Sequence, residues 1–544
     1  MDEPHPVEPY CETLAALRRG DVPLPDSENE MAGHVASLDA LLEVVPREIE
    51  TDLEFVRDAL QGARDAGGFS ALLMFQDLTD SELAGAEGRI ADFTVEACRL
   101  DLPRLEWQVG PRVDQISACP GWPGTGTVLT NNRFPYLLAT SGGNYFRSIF
   151  WSVPVIPAPP GMIDVDRGGR VEFSGQYPAA RYFGFHPNDL ETNNLKTLVD
   201  VDLDPDSGSV NPWRQEAGRE ADRRYTASLV FDEIPDAPER NTSYVGARKQ
   251  GGFNPVTFVI YRLYDSDLGP LPPNSGGVPL PALTVYDADG EVTEHHPECD
   301  PFPPGTELPV DTTRFPVFPV PDYRAVHHAF QINILPNWGM PVDILANADV
   351  LYLGTPYGKN LGEVLLWRAR LPRTADPEDG TPLSSKNVEM RMFSACTYNF
   401  WNGEANSCVQ DTELAADADG FYTLMITAPE DRPAGLPEGV NWLSAGPFLD
   451  GQLSLRMLLA RDQLLVRLKD AIETGVADRE IEPYVPRIAA CSRRSFDAGG
   501  VTGCFAESRE ERSIEVDASL GSRSLESVGS AAGLTPPGID EYRG

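Results

Sequence analysis

The chain has 544 residues, of which 41% are hydrophobic and 23% are charged, and both proportions are ordinary for a globular protein. They exclude a chain that is disordered throughout. The formal net charge of −39 repels nucleic acid and anionic lipid, so we expect no nucleic-acid partner. No apolar run approaches the roughly 20 residues that a membrane helix needs, and we therefore expect no membrane span.

Residues 1–105 are predicted to form a helical domain. Apolar residues between positions 35 and 60 recur with the 3.6-residue helical period. Thr79, followed three residues later by a glutamate, fits a capping box at the start of another helix. A disulfide between Cys11 and Cys98 would join the two ends of this domain.

Beyond about residue 110 the pattern changes to short strands rich in β-branched and aromatic residues. The dipeptides Asp289-Gly290 and Asp419-Gly420 suit the turns of hairpins. Proline clusters between these strands cannot continue a helix or a central strand, so they indicate rigid connections.

An internal repeat is the most informative feature of this region. Three segments resemble three later segments in the same order: 180–185 and 390–395, 225–229 and 422–426, 259–264 and 454–458. Upstream, Phe150-Trp151 is matched with Leu366-Trp367. The same order with unequal spacing indicates the same strands joined by different loops.

We therefore predict a mainly β protein with an N-terminal α domain: a helical bundle, two tandem antiparallel β-sandwiches of the jelly-roll type, and a short C-terminal helix. The predicted parts are the helical disulfide-closed domain at 1–105, the first sandwich at 110–290, a proline-rich linker at 291–324, the second sandwich at 325–465, a helix and disulfide loop at 466–506, and a flexible tail at 507–544.

The cysteines predict a disulfide framework. None forms a CxxC motif or has zinc spacing with histidine, and their number is even. The eight are Cys11, Cys98, Cys119, Cys299, Cys396, Cys408, Cys491 and Cys504. Two pairs are close in sequence, 396 with 408 and 491 with 504, while the pairing of Cys119 and Cys299 stays open. Disulfides indicate an oxidising compartment, so we expect a secreted or cell-surface protein whose signal peptide was removed.

Part of the second repeat resembles a known family. Residues 419–424, the turn at Asn441-Trp442-Leu443-Ser444, and the strand that carries Arg456 are similar to the closing module of bacterial proteins called domain of unknown function 1214, which often follows the related domain 1254. Ser444 stands where the family usually has proline. The N-terminal part resembles small helical domains of secreted actinobacterial proteins. The resemblance implies architecture and export, and it implies no reaction.

Two pairs of arginines occupy equivalent places in the repeats: Arg181 with Arg391, and Arg262 with Arg456. An arginine within an apolar strand is costly to bury without a partner. Each could therefore mark an anion-binding position, or it could form a structural ion pair with an acid on a neighbouring strand.

A metal site is the next candidate. Asp200, Asp202, Asp204 and Asp206 alternate as the ligands of a calcium loop do, although a proline occupies the sixth position of that pattern. The alternative is an acid-rich turn, and apart from calcium no cofactor is expected. The histidine pairs at 295–296 and 327–328 could share a metal only if their loops converge, because adjacent strand residues point to opposite faces.

No nucleophile elbow, phosphate loop or dinucleotide motif occurs in the sequence. We therefore expect a non-catalytic binding or interaction protein, whose partner is a small molecule, a glycan or a protein. One alternative is an extracellular hydrolase of an ester or glycoside with its site at the domain junction. Another is a structural subunit of a surface assembly.

Overall fold

In the computed structural model, a small group of N-terminal helices is followed in the chain by mainly β structure. It describes residues 7–19, 30–65, 86, 89–90, 93–94, 96–98, 119–122, 143–153, 157–158, 162–190, 193–214, 222–266, 275–301, 332–335, 347–358, 361–375, 388–399, 405–446, 450–460 and 462–515. The helix start predicted at Thr79, most of the proline-rich linker and the histidine pair at 327–328 lie outside the described residues.

Three N-terminal helices share one apolar core. They are α1 (Val7–Arg19), α2 (Glu30–Leu42) and α3 (Arg47–Asp65). Their apolar stripes bury Leu14, Leu38 and Leu53, each at most 2% exposed. The Cys11–Cys98 bridge is formed and joins α1 to the helical residues 96–98.

The first sandwich consists of two five-stranded sheets. The first of them has the strand order β2-β1-β8-β4-β5, and the second has the order β10-β9-β3-β6-β7. Their bounds are β1 Gly143–Trp151, β2 Ile163–Asp164, β3 Arg170–Gln176, β4 Ala180–Asn188, β5 Leu198–Val199, β6 Arg224–Val230, β7 Thr242–Tyr244, β8 Val256–Ser266, β9 Ala282–Tyr286 and β10 Val292–His296. Strand alternation directs one face of each sheet into the common core; in β3, for example, Val171 and Phe173 are fully buried.

The second sandwich has one five-stranded sheet, ordered β11-β12-β18-β14-β15, and one four-stranded sheet, ordered β17-β16-β13-β19. The bounds are β11 Asn333–Leu335, β12 Val350–Gly358, β13 Val364–Arg370, β14 Met392–Asn399, β15 Ala405–Gln410, β16 Phe421–Thr427, β17 Val440–Ser444, β18 Asp450–Leu458 and β19 Arg487–Cys491. Helices α4 (Asp462–Thr474) and α5 (Arg493–Glu515) flank β19 in the sequence.

Eight strands recur in the same chain order and with the same neighbours in both sandwiches. Strands β1, β3, β4, β5, β6, β7, β8 and β9 correspond to β12, β13, β14, β15, β16, β17, β18 and β19. The three matched sequence segments fall on β4 and β14, β6 and β16, and β8 and β18. Most pairs are antiparallel, but β7 and β17 each pair in parallel with the strand before them.

One part of the sequence alignment was wrong. Phe150-Trp151 ends β1, whereas Leu366-Trp367 lies in β13, the counterpart of β3. The register places Trp367 opposite Leu424 and Phe173 opposite Ala227, so Trp367 corresponds to Phe173. An apolar–aromatic doublet is too common in buried strands to identify one of them.

The sandwiches extend beyond their predicted ends. Strand β10, placed in the linker by the sequence, pairs with β9 across the turn at Asp289-Gly290. Strand β19, assigned to a disulfide loop, pairs with β13. The predicted tail begins with nine helical residues, 507–515, at the end of α5, and Glu507 accepts hydrogen bonds from the backbone and hydroxyl of Ser492. Residues 516–544 lie outside the described residues.

The eight cysteines form four bridges. Besides Cys11–Cys98, they are Cys119–Cys299, Cys396–Cys408 and Cys491–Cys504. The bridge from Cys119, the pairing that the sequence left open, anchors residues 119–122 to the first sandwich, where Trp122 enters the core. Four disulfides are typical of proteins that mature in an oxidising compartment.

Candidate functional site

The two sandwiches contact each other through a pair of reciprocal ion pairs. Arg181 donates from both terminal nitrogens to the carboxylate of Asp411, at 2.7 Å each. Arg391 donates to Asp200 at 2.6 Å. All four side chains are at most 5% exposed. The arginine of each repeat therefore binds the aspartate of the other, as in the isologous interface of a two-fold symmetric dimer.

Each aspartate is held by its own sandwich in the same way. The backbone N–H of Phe183 donates to Asp200, and that of Phe393 donates to Asp411. The backbone N–H groups of the two aspartates return bonds to the carbonyl oxygens of the same phenylalanines. The geometry assigns Arg181 and Arg391 to structural ion pairs, with the closest acid supplied by the other sandwich; Arg181 also lies 3.3 Å from Asp265 on the neighbouring strand β8.

Arg262 and Arg456 have a different environment, made of tyrosines. The guanidinium of Arg262 lies 5.7 Å from the ring centre of Tyr145, its cross-strand partner on β1. The guanidinium of Arg456 lies 5.4 Å from the ring centre of Tyr352, its cross-strand partner on β12. Both arginines are 5% exposed. A terminal nitrogen of Arg262 is also 3.4 Å from the hydroxyl of Tyr264.

Arg262 and Arg456 both lower the pKa of the Tyr264 hydroxyl. Burial raises the pKa of Tyr264, but the charges of Arg262 and Arg456, together with hydrogen bonds from Arg262 and Asn347, lower that pKa below its usual value. Tyr264 also accepts a hydrogen bond from the side chain of Asn347 at 3.2 Å, and the Asn347 backbone donates to Tyr352. Asn347, three residues before the start of β12, thus links the tyrosines of both sandwiches. We call Arg262, Arg456, Tyr145, Tyr264 and Tyr352 the arginine–tyrosine cluster.

Arg456 contributes a buried positive charge to this cluster. No carboxylate lies within ion-pairing distance of Arg456 among the described residues, and its Nε has no hydrogen-bond partner there. A guanidinium does not lose its proton at physiological pH. Burying such a charge without a counter-charge costs several kcal/mol. The site therefore favours an anion, which could be an ionised tyrosine or a bound ligand.

A second polar chain adjoins the cluster. The hydroxyl of Tyr182 is 2.7 Å from the carboxylate of Asp349 and 2.8 Å from Nε2 of His186. Burial and the neighbouring charge of Arg262 lower the pKa of His186 well below its usual value, so the imidazole is neutral. Burial raises the pKa of Asp349 to about 6, although the Tyr182 hydroxyl opposes the shift. This chain also crosses from one sandwich to the other.

On β4 and β18, several buried polar atoms have no hydrogen-bond partner among the described residues. On β18, Nε2 of Gln452 and Oγ of Ser454 precede Arg456 at alternate positions, which strand geometry places on one face. On β4, the same holds for Nδ1 of His186 and Oδ1 of Asn188. Buried polar atoms in native proteins are nearly always paired with protein, water or ligand. Each row therefore presents buried polar atoms that water or a hydroxylated molecule would suit.

The four aspartates proposed for calcium do not converge. Asp200 is committed to Arg391, while Asp204 contacts Arg214 and Arg240, and Asp206 accepts from Thr226. Asp202 is exposed. Within the part of the chain that the structure describes, no group of three or more His, Cys, Asp or Glu side chains could hold a metal ion.

The histidines at 295–296 have separate partners. Nδ1 of His295 is 3.0 Å from the hydroxyl of Thr284, and Nε2 of His296 is 2.9 Å from Glu294. Their placement on strand β10 agrees with side chains on opposite faces. Sequence reasoning missed the Tyr182, His186 and Asp349 chain entirely; the one available signal was a histidine five residues after a repeated arginine.

Comparisons with known proteins found matches among solved structures at low similarity. No protein-family model and no curated protein matches this sequence. An uncharacterized protein from Burkholderia cenocepacia aligns with 76% of this chain and 94% of its own, at 12% identity and a TM-score of 0.39. The VPA0106 protein from Vibrio parahaemolyticus aligns with 66% of this chain and 90% of its own, at 12% identity and a TM-score of 0.32.

The resemblance of the second repeat to domain of unknown function 1214 stays a prediction.

Among the described helices, none combines the length and the apolar character that a membrane crossing requires.

Proposed function

We propose that this is a secreted, non-catalytic binding protein that takes a small anionic ligand between its two sandwiches. The observation that supports the proposal is Arg456, a buried guanidinium that faces tyrosines and, among the described residues, no carboxylate. Arg262 adds a second buried positive charge to the same cluster. A carboxylate, phosphate or sulfate group would supply the missing negative charge through charge-assisted hydrogen bonds.

The chain's own charge makes such a site selective. With a net charge of −39, the outer surface repels anions, so an anion gains only where local positive charge exceeds negative charge. Arg181 contacts the carboxylates of Asp411 and Asp265, and Arg391 contacts that of Asp200, so neither guanidinium lacks a negative partner and the attraction for an anion in this interface lies at Arg456. The disulfides are in keeping with export, because reducing compartments do not maintain them.

Isothermal titration with sodium acetate, sodium phosphate and sodium sulfate tests the proposal. We expect at least one of them to bind the wild-type protein, and the Arg456→Met variant to bind it at least tenfold more weakly. The matched control is Arg240→Met, whose parent side chain is 87% exposed and contacts Asp204. Arg456→Lys, which keeps the charge but loses the planar donor fork, provides a second variant if the methionine variant does not fold. Equal binding by wild type and by a folded Arg456 variant would overturn the proposal.

A second candidate function is a hydrolase with its site at the junction of the sandwiches. The observation that favours it is the chain from Asp349 through Tyr182 to a neutral His186, since a neutral imidazole oriented through a carboxylate can act as a base. Turnover of nitrophenyl esters or glycosides that disappears in His186→Gln would favour the enzyme. The absence of turnover in the folded wild-type protein would reject these substrates.

A further inference from the structure

We propose that the anionic ligand is a hydroxy acid, of which the sugar acids are the representative class. This inference rests on the proposed function and names the chemistry of the ligand. The anionic group would lie at Arg262 and Arg456, and hydroxyl groups of the same molecule would bond the buried polar atoms of β4 and β18 beside them.

The orientation of the His186 protons follows from a count of donors. Tyr182 has one hydroxyl proton, and an ionised Asp349 can only accept, so that proton lies in the 2.7 Å bond to Asp349. The 2.8 Å contact with His186 then requires Nε2 to carry the imidazole proton and donate to the Tyr182 oxygen. In a neutral ring, Nδ1 is consequently an acceptor. It is fully buried and has no partner among the described residues.

A carboxylate or a sulfate cannot satisfy this acceptor. Each offers only acceptor oxygens, and so does not bond Nδ1 of His186 or Oδ1 of Asn188. An unmet buried acceptor costs about 1–3 kcal/mol. A hydroxyl group on the ligand removes that cost, because it donates to one atom and accepts from another.

The second sandwich carries groups of complementary hydrogen-bonding type on β18. Nε2 of Gln452 is a donor, and Oγ of Ser454 both donates and accepts. Both side chains are at most 1% exposed and share a face of β18 with Arg456. Alternate positions on a strand lie about 7 Å apart, which matches the spread of several hydroxyl groups on one sugar ring rather than a single oxyanion.

The test compares sodium glucuronate, sodium acetate and glucose by isothermal titration. We expect glucuronate to bind at least tenfold more tightly than acetate, and glucose to bind more weakly than glucuronate because it lacks the charge. In Ser454→Ala, the affinity for glucuronate should fall about fivefold, the value of one hydrogen bond, while that for acetate should not change. Ser207→Ala, at an exposed turn, is the matched control.

The outcomes separate this inference from the proposed function. If acetate and glucuronate bind equally well and both depend on Arg456, the hydroxy acid is rejected and the anion site stands. If no anion binding depends on Arg456, the proposed function itself fails. His186→Leu gives an independent measure, because it should remove the preference for glucuronate over acetate. If the folded Ser454→Ala and His186→Leu proteins both retain this preference, the inference is contradicted.

Discussion

Arginine plays two different roles at equivalent positions of this molecule, and the difference lies in what each guanidinium contacts. Arg181 and Arg391 each meet an aspartate of the opposite repeat. Arg262 and Arg456 each lie over a tyrosine ring. The sequence predicted four buried arginines that need partners, because a guanidinium inside an apolar strand is costly. It could not tell which partners they have, because Asp411 lies 230 positions from Arg181, and Asp200 lies 191 positions from Arg391.

The raised pKa of Asp349 predicts a pH dependence of stability. Its pKa is about 6 in the folded protein against 3.8 for the free side chain, so the folded state holds this proton more tightly. The carboxyl's contribution to stability is therefore full below about pH 4 and is lost as the pH rises through 6. Relative to the wild type, the free energy of unfolding of Asp349→Asn should increase by up to about 3 kcal/mol as the pH rises from 4 to 7.

Urea denaturation of both proteins across this pH range measures the difference. Asp289→Asn, at the exposed turn between β9 and β10, is the matched control and should run parallel to the wild type. If the stability of the wild type, relative to that of Asp349→Asn, rose between pH 4 and pH 6, the predicted direction of the pH dependence would be wrong.

At the scale of the elements, an asparagine performs the same task in both sandwiches. The side chain of Asn241 exchanges two hydrogen bonds with the backbone of Asp204, and that of Asn441 exchanges two with the backbone of Ala415. Each amide also donates to the carbonyl oxygen of a β6 or β16 threonine. The asparagine side chain thus supplies the loop backbone with the hydrogen bonds that a neighbouring strand would otherwise provide at the sheet edge.

Alanine at either asparagine should destabilise the protein unequally. Each change leaves a backbone N–H and C=O unpaired, which costs about 2 kcal/mol. Asn241 also has a φ of 51°, where alanine is strained by about 1 kcal/mol more. Denaturation midpoints should therefore fall further for Asn241→Ala than for Asn441→Ala. Asn241→Gly, which tolerates this φ, should recover the extra loss but not the rest; equal midpoints for Asn241→Ala and Asn241→Gly would contradict the assignment.

The elements were predictable where the pattern was strong. The helices near the N-terminus have a clear 3.6-residue period, and the three matched strand pairs share aromatic and arginine positions. Strands β10 and β19 were missed for physical reasons. Four of the five β10 residues are exposed at a sheet edge, and β19 is five residues long with two alanines, so neither has strong alternation. Pairing with an existing sheet, rather than local preference, makes them strands.

For the whole molecule, the sequence predicted two copies of one sandwich, but it did not predict how the two copies contact each other. Two copies of one sandwich contact each other as two subunits of a symmetric dimer do, with ion pairs exchanged across the axis. An apolar group of Tyr182, Val199, Tyr264, Met392 and Leu458 fills the contact between them. The candidate site lies beside this contact, and a sequence cannot reveal a site whose halves come from separate repeats.

The exchanged ion pairs predict strong coupling between the sandwiches. Removing one partner leaves a buried charge, so Arg181→Met and Asp411→Leu should each cost about 3–5 kcal/mol. The double variant should lose less than the sum, because neither Arg181 nor Asp411 is then left as a buried charge without the other. A double-mutant cycle from chemical denaturation checks this, with Arg467→Met, an exposed arginine paired to Asp478, as the control. Additive losses would show that the two side chains do not interact.

Anomalous diffraction from crystals grown in sodium bromide tests the central claim most directly, because it locates an anion without assuming its natural identity. We expect a bromide peak within hydrogen-bonding reach of the Arg456 guanidinium, between the tyrosines of the two sandwiches, and its loss in Arg456→Met. A carboxylate of the chain itself against Arg456, with bromide found only on the outer surface, would contradict the account.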